Sequence, residues 1–426
     1  MVWLVSLCVA LTFGLSLLVK NGYSIGIGLL FLVSLGYFIA PWLKGLIQVI
    51  KVFLTSCKYH WLNHLSRQDK WLLMTFIAYG IGMFLSVYLD GWHTRELDRP
   101  SRFIFAVPVL LLLLKLPFKS SWLIYGVLLG SVGSFLVAFY ERFYLGYARA
   151  NGGLIAIMFG DMAMMMGLIS FVGMLWSYAH KRLVLTTICL LAGFAGMGAS
   201  FLSGSRGGWV ALPLIMLFLF WQGRDLLGKK IISLFVVIMF IAIGSAVAIP
   251  QTGVKYRIDQ AVTQVIAYSQ GDAKNTSVGL RFEMWKGSFY LFKESPFFGG
   301  GEYKGAEKKL QLAKEGVITG TAARFSHAHN EYFDALALRG LFGFALLMAV
   351  YLVPLRLFLQ KIRQYPDNWS IKAYAMAGAL VPMSYMDFAL TQSMFSHNIG
   401  VMMYVFPIVY FWAAVRWAER EALGQV

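Results

Sequence analysis

Long apolar runs separated by short polar connections set the rhythm of this chain. A bilayer crossing needs about 20 mostly apolar residues in a helix. Twelve runs meet that pattern, near residues 2–19, 24–42, 71–89, 103–118, 122–140, 154–178, 183–201, 208–222, 231–250, 337–357, 371–390 and 397–415. One connection breaks the rhythm. Residues 251–336 are mixed in character, and Arg281, Trp285, Ser288, Phe289 and Phe292 recur at three- and four-residue steps before Pro296 stops the run. Trp285, Phe289 and Phe292 would form an apolar stripe suited to the membrane surface or the top of a bundle. The pattern predicts an all-α polytopic membrane protein with about 12 transmembrane helices and one long helical loop. Residues 1–250 hold the first nine spans, 251–336 the loop, and 337–426 the last three spans with a short tail.

Composition agrees and removes the alternatives. Hydrophobic residues make up 59% of the 426 and charged residues only 13%, with a mean hydropathy of +0.66. Soluble domains carry about 25% charged residues, so a soluble enzyme and a disordered chain are both excluded. The formal charge of +17 reads as the excess of Lys and Arg in cytoplasmic loops, not as a nucleic-acid surface. Lys44, Lys51, Lys181, Arg182, Lys229, Lys230, Lys361 and Arg416 fall on one side of the alternating spans. That side is the cytoplasm, with both termini inside and the long loop outside. Met1-Val2-Trp3 opens without a basic region, as an uncleaved first span would. Cys8, Cys57 and Cys189 have no ligand-like spacing, so neither a disulfide framework nor a zinc site is expected.

Three clusters on the outer side can carry chemistry. Ser203-Gly204-Ser205-Arg206-Gly207-Gly208 precedes the eighth span, where small residues allow a sharp turn and backbone N–H groups lie beside a guanidinium. That suits an anion such as phosphate; a tight turn with a snorkelling Arg fits equally. Arg281 to Trp285 leads into Pro296-Phe-Phe-Gly-Gly-Gly301, whose glycines allow a close return to another backbone; an interfacial helix with an exposed cation is the plainer reading. The third cluster, Ser326-His327-Ala328-His329-Asn330-Glu331-Tyr332, runs into the tenth span through Gly340. His-Ala-His tempts a metal reading, but a metal needs a third or fourth ligand, and no partner motif is visible. His329 falls at an expected helix start, where the dipole disfavours imidazolium and leaves a neutral base. Asp161 and Asp387, in the outer halves of the sixth and eleventh spans, are candidates either for function or for pairing with an Arg. Glu96-Leu-Asp98-Arg99 with Arg102 reads as a solvated loop.

In this order the clusters resemble the O-antigen ligase family of the wider O-antigen ligase and polymerase superfamily. The matching parts are Ser205-Arg206-Gly207-Gly208, Arg281 through Trp285 to the Pro296–Gly301 turn, and His329-Asn330 followed by Gly340. Asp98 to Arg102 and Gly160-Asp161 also match. With the span layout, the resemblance covers nearly the whole chain. The first two motifs are shared with polymerases; the third points to ligases.

The resemblance implies a glycosyltransferase at the periplasmic face of the bacterial inner membrane. It would move an O-antigen glycan from undecaprenyl pyrophosphate to a lipid A–core sugar, without a cofactor or metal. Arg206 and Arg281 would hold the pyrophosphate, and His329 would activate the acceptor hydroxyl. Gly207, Gly208, Asn330, Arg102, Asp161 and Asp387 enter as further substrate-binding candidates. A pyrophosphate leaving group needs cations rather than a proton donor, so a glycosidase-like carboxylate pair is unnecessary. Two other readings remain: an O-antigen polymerase, and a lipid-linked oligosaccharide flippase or transporter. Transporters place polar residues near the midplane on broken, repeated helices, whereas the polar clusters here gather on the outer side.

Overall fold

A computed structural model describes residues 1–49, 65–205, 207–248 and 254–425. Arg206, Cys57 and the last two residues of the ninth expected span lie outside the described residues. Apolar runs too long for any other buried conformation become helices, because only a helix satisfies its own backbone groups in hydrocarbon. In chain order these are α1 (Val2–Gly14), α2 (Gly22–Val49), α3 (Arg67–Leu89), α4 (Asp98–Lys115) and α5 (Ser121–Phe139). Then come α6 (Ala156–Ala179), α7 (Leu183–Ser203) and α8 (Leu212–Ala248). The long connection folds as α9 (Val254–Ser269), α10 (Ser277–Glu294), α11 (Tyr303–Lys314) and the single turn α12 (Gly320–Ala323). The chain closes with α13 (Glu331–Gln364), α14 (Trp369–Phe388) and α15 (Asn398–Ala422). The fold is an all-α membrane bundle.

Seven helices among the described residues are long and apolar enough to cross a membrane: α2, α3, α5, α6, α7, α13 and α15. The remaining expected spans fall on α1, α4, α8 and α14. The connection expected between the eighth and ninth spans shrinks to a break inside α8 at Gly228, whose φ of 73° and ψ of 157° are not helical. A second break at Gly340 divides α13, which starts at Glu331, six residues before the expected span.

The centre of the bundle is α6 and α15, both buried along nearly their whole length. The buried Tyr385 of α14 joins them, packed edge-on against Tyr404 of α15 and 3.5 Å from Met162 Sδ of α6. Two buried hydroxyls of this centre find backbone partners: Tyr385 donates to the Gly400 carbonyl at 2.6 Å and Tyr404 to that of Val350 at 2.7 Å. At one end, Lys361 pairs with Glu419 at 2.5 Å and Arg416 with Asp69 at 3.2 Å. The other end carries α9–α12 as a cap.

Candidate active site

At the capped end the Pro296–Gly301 turn docks on the broken part of α13. The break frees two carbonyls and two N–H groups, and the turn satisfies all four. Gly300 and Gly301 donate to Ala337 and Leu338 at 2.8 and 3.0 Å; Leu341 and Phe342 donate to Pro296 and Phe297 at 2.8 and 3.0 Å. Only glycine permits this approach, since a Cβ at Gly299 would lie 2.1 Å from the Arg339 nitrogen. Asp90, at the end of α3, completes the seat by accepting the N–H groups of Glu302, Tyr303 and Lys304 at 2.7, 2.8 and 3.2 Å. It caps α11 from another helix, a role no local pattern announces.

Helix α10 brings Arg281 to the histidine loop. Thr276 caps it through the Gly279 N–H at 3.1 Å, and the buried Glu283 ties it to Tyr268 at 2.8 Å and to the Thr319 N–H at 2.7 Å. Trp285 donates to the Ala328 carbonyl at 3.1 Å and stacks on Phe333, 5.1 Å between centroids and 10° between planes. The expected apolar stripe is therefore divided. Trp285 faces the protein, while Phe289 remains 54% exposed. Arg281 is half-buried, and burial pushes its guanidinium below its usual range.

The histidine loop is held on both sides. The buried Asp334 carboxylate accepts the Ala328 N–H at 2.9 Å and the Ser393 hydroxyl. His329 has a left-handed backbone, φ 50°, that breaks the chain direction before the helix. Asn330 caps α13 by accepting the Tyr332 and Phe333 N–H groups at 3.0 and 3.1 Å, and its amide donates to the Leu390 carbonyl at 3.1 Å. Asn330 thus acts here as a brace. His327, His329 and His397 form a cluster, with His327 4.5 Å from His329 and 5.6 Å from His397 between centroids. Gln392 sits between His329 and His397, at 2.8 Å from Nδ1 of the first and 3.2 Å from Nε2 of the second.

Burial sets the titration of all three. It pushes His327 down to about 3, helped by His329, His397 and Lys309, and His397 down to about 4, helped by Arg99 and His329. His329 is lowered by burial and by Arg281, but its hydrogen bond to Gln392 opposes the shift. Among the described residues, no three His, Cys, Asp or Glu side chains are grouped to hold a metal ion.

Ser203 to Ala211 forms a second loop, anchored by two carboxylates in the bundle. Gly204 ends α7 with φ 64°, and Arg149 donates to the Ser203 carbonyl at 2.7 Å. Ser205 donates to Asp161 at 2.9 Å, and the Gly208 N–H binds the same carboxylate. The Ala211 N–H donates to Asp387 at 3.0 Å. Asp161 and Asp387 therefore grip the loop on either side of position 206, and they occupy N–H groups the sequence had offered to an anion. Gly207 and Gly208 are buried where a Cβ would meet Thr391 Oγ1 at 2.2 Å and Phe388 Cε1 at 2.9 Å. Both loops thus converge on the segment between α14 and α15, the histidine loop through Leu390, Gln392 and Ser393 and the serine–glycine loop through Thr391.

Beside this junction a cavity of about 1000 Å³ reaches into the bundle, lined by His327, His397, Glu331, Arg339 and Arg99 among its polar groups. His329 is behind this lining, not in it. Glu96, Arg99, Glu302 and Arg339 form a charged group on the cavity wall: Arg99 pairs with Glu96, and Glu302 lies 3.5 Å from Arg99 and 3.8 Å from Arg339. Burial and Glu302 push Glu96 up. Glu302 is held down against its own burial by a hydrogen bond with Glu96, by Arg99 and by Arg339. The Glu96–Arg99 segment is therefore built into the wall and is not the solvated loop expected. Arg102 stands apart: it pairs with Asp98 at 2.7 Å and does not line the cavity.

Gln392, His397, Arg339 and Glu302 were not legible as site residues. For the first two a signal existed, since Thr391-Gln392-Ser393 and Ser396-His397-Asn398 put six polar residues at the junction of the last two spans.

Comparison with known proteins finds likeness over part and over most of the chain. Residues 188–348 match the model of the family described as O-antigen ligase. An uncharacterized protein of Haemophilus influenzae is 28% identical over 96% of this chain and 97% of its own length. An O-antigen ligase of Escherichia coli is 27% identical over 49% of this chain and 50% of its own. The matched residues contain Arg206, Arg281 and His329, and over that stretch the chain is similar to the O-antigen ligase family.

Proposed function

We propose that the protein is an O-antigen ligase, transferring a glycan from undecaprenyl pyrophosphate to a hydroxyl of the lipid A–core oligosaccharide. The reaction runs at the periplasmic face of the inner membrane, with both termini cytoplasmic and residues 251–336 as the periplasmic cap. One observation supports the reading. The loop flanking position 206 and the His329 loop come from distant stretches of chain, yet both pack on the segment between α14 and α15, and Arg281 of α10 acts on His329. A cavity of about 1000 Å³ opens beside them, within the size range of ligand sites.

The chemistry follows from the side chains. Arg281, desolvated on one side, and Arg206 neutralise the charge that grows on the pyrophosphate as its bond to the anomeric carbon breaks. The acceptor oxygen attacks that carbon from the opposite face, forming the new glycosidic bond with inversion. Its proton passes to His329, and undecaprenyl pyrophosphate leaves as the anion. No metal is required, because the two guanidinium groups supply the charge.

The test is transfer by purified protein from purified lipid-linked O-antigen to rough lipopolysaccharide, with and without EDTA. Core-linked product at an equal rate in both is the expected result. Elongated lipid-linked glycan with no core-linked product would identify a polymerase. Loss of activity in EDTA, restored by magnesium, would overturn the metal-free mechanism.

A further inference from the structure

The amide of Gln392 is only 1% exposed, and its orientation follows from a neighbour whose role is unambiguous. The Ser393 backbone N–H, which can only donate, points at Gln392 Oε1 at 3.2 Å. That oxygen must therefore be the acceptor, and Nε2 the donor. Two tautomers are then fixed. His329 Nδ1, 2.8 Å from Oε1, carries a proton and donates it. His397 Nε2, 3.2 Å from the Gln392 NH₂, accepts and is bare. A neutral His329 with hydrogen on Nδ1 has its lone pair on Nε2.

We propose that Gln392 is a positioning residue that locks His329 in the tautomer with Nε2 free, so that this nitrogen takes the proton of the acceptor hydroxyl. The proposal rests on the reading of His329 as the base. In the step, the acceptor O–H bond breaks as its oxygen bonds the anomeric carbon and the bond from that carbon to the pyrophosphate breaks; the proton goes to Nε2, and the hydrogen on Nδ1 stays there, donated to Gln392 Oε1. Gln392 touches no substrate; it acts through the imidazole, as an outer partner does for a ligating or catalytic histidine.

The groups around this ring pair come from every element packed there. Arg281 lies on α10; Lys309 on α11 reaches the Phe325 carbonyl at 2.8 Å. His327 shares the loop, Asp334 starts α13, and His397 precedes α15 beside Arg99. None of these but Gln392 hydrogen-bonds a ring nitrogen of His329.

Replacing Gln392 by Glu keeps the shape and adds a negative charge, which favours imidazolium. In Gln392→Glu the acidic limb of the transfer rate should move up by one pH unit or more, with the high-pH plateau within about tenfold of the native protein. In Gln392→Met the acceptor is gone: the rate should fall about tenfold or more at its optimum, and the acidic limb should not rise. A purely structural Gln392 would lower the amount of folded protein and leave the limb of the folded fraction where it was. Either variant, folded by thermal unfolding in detergent, with the native rate and limb would overturn the proposal. His329→Ala runs alongside. If it retains activity, the base assignment itself fails; if it is inactive while both Gln392 variants behave as native, only the role of Gln392 fails.

Discussion

Two arginines and one of three histidines carry the proposed chemistry, and each makes a separate claim. A guanidinium offers a planar pair of donors to a phosphate, whereas an ammonium is a point charge. Arg206→Ala and Arg281→Ala should each abolish transfer with protein still in the membrane, and Lys at either position should restore little. Near-native rates from both Ala variants would remove the phosphate assignment. Among the histidines, His327 lines the cavity and would be the natural choice by position. Burial, however, pushes it down to about 3, and such a ring is too weak a base to take a hydroxyl proton at neutral pH. His329 alone has a hydrogen bond that opposes its shift. Transfer by His329→Ala should fall by about 10² to 10⁴ with donor affinity kept, while His327→Ala retains substantial activity. A dead His327→Ala beside an active His329→Ala would reverse the assignment.

Elements position these residues, and here glycine decides more than charge. Gly340 has φ 62° and ψ −162°, a conformation essentially limited to glycine. A Cβ there would lie 2.4 Å from the Phe297 carbonyl carbon. Gly340→Ala should therefore unseat the Pro296–Gly301 turn at a cost of about 1–3 kcal/mol or more, read as a lower midpoint of thermal unfolding and as lost transfer. An unchanged midpoint would mean that the break in α13 is not a fixed feature. The helices themselves were legible, because bilayer-length apolar runs leave no competing conformation: α3, α5, α6, α7 and α14 fall within a few residues of the expected spans. Arg206, Arg281 and His329 stand out in the sequence only through their resemblance to a family pattern, and their roles remain part of the proposal. Asp90, Gln392 and the pairing of Glu302 with Arg99 were not legible, since each gains its role from a partner more than 60 residues away. Asp161 and Asp387 were visible as misplaced charges, but only the fold assigns them to the Arg206 loop.

The whole molecule joins a deeply buried bundle to a cap whose histidines are neutral, and pH should separate the two. His327 and His397 are pushed down by burial to about 3 and about 4, against about 6.5 in an unfolded chain. Between those values the unfolded state binds more protons than the folded one. Their contribution to stability is therefore full above about pH 6.5 and is lost as pH falls toward 4. At pH 5 the loss is about 2 kcal/mol for each histidine. It should act first where these rings pack, on the loop over 324–330 and on α10, which is fastened there by Trp285. Hydrogen exchange, corrected for the intrinsic pH dependence, should show α10 and the histidine loop opening more readily at pH 5 than at pH 7.5, with α6 and α15 unchanged. The variant His327→Gln should flatten that difference, because it removes one of the two titrating rings. Equal protection of α10 at both pH values in the native protein would mean that the histidines are solvated well enough to protonate in place, and the burial that singles out His329 as the base would go with it.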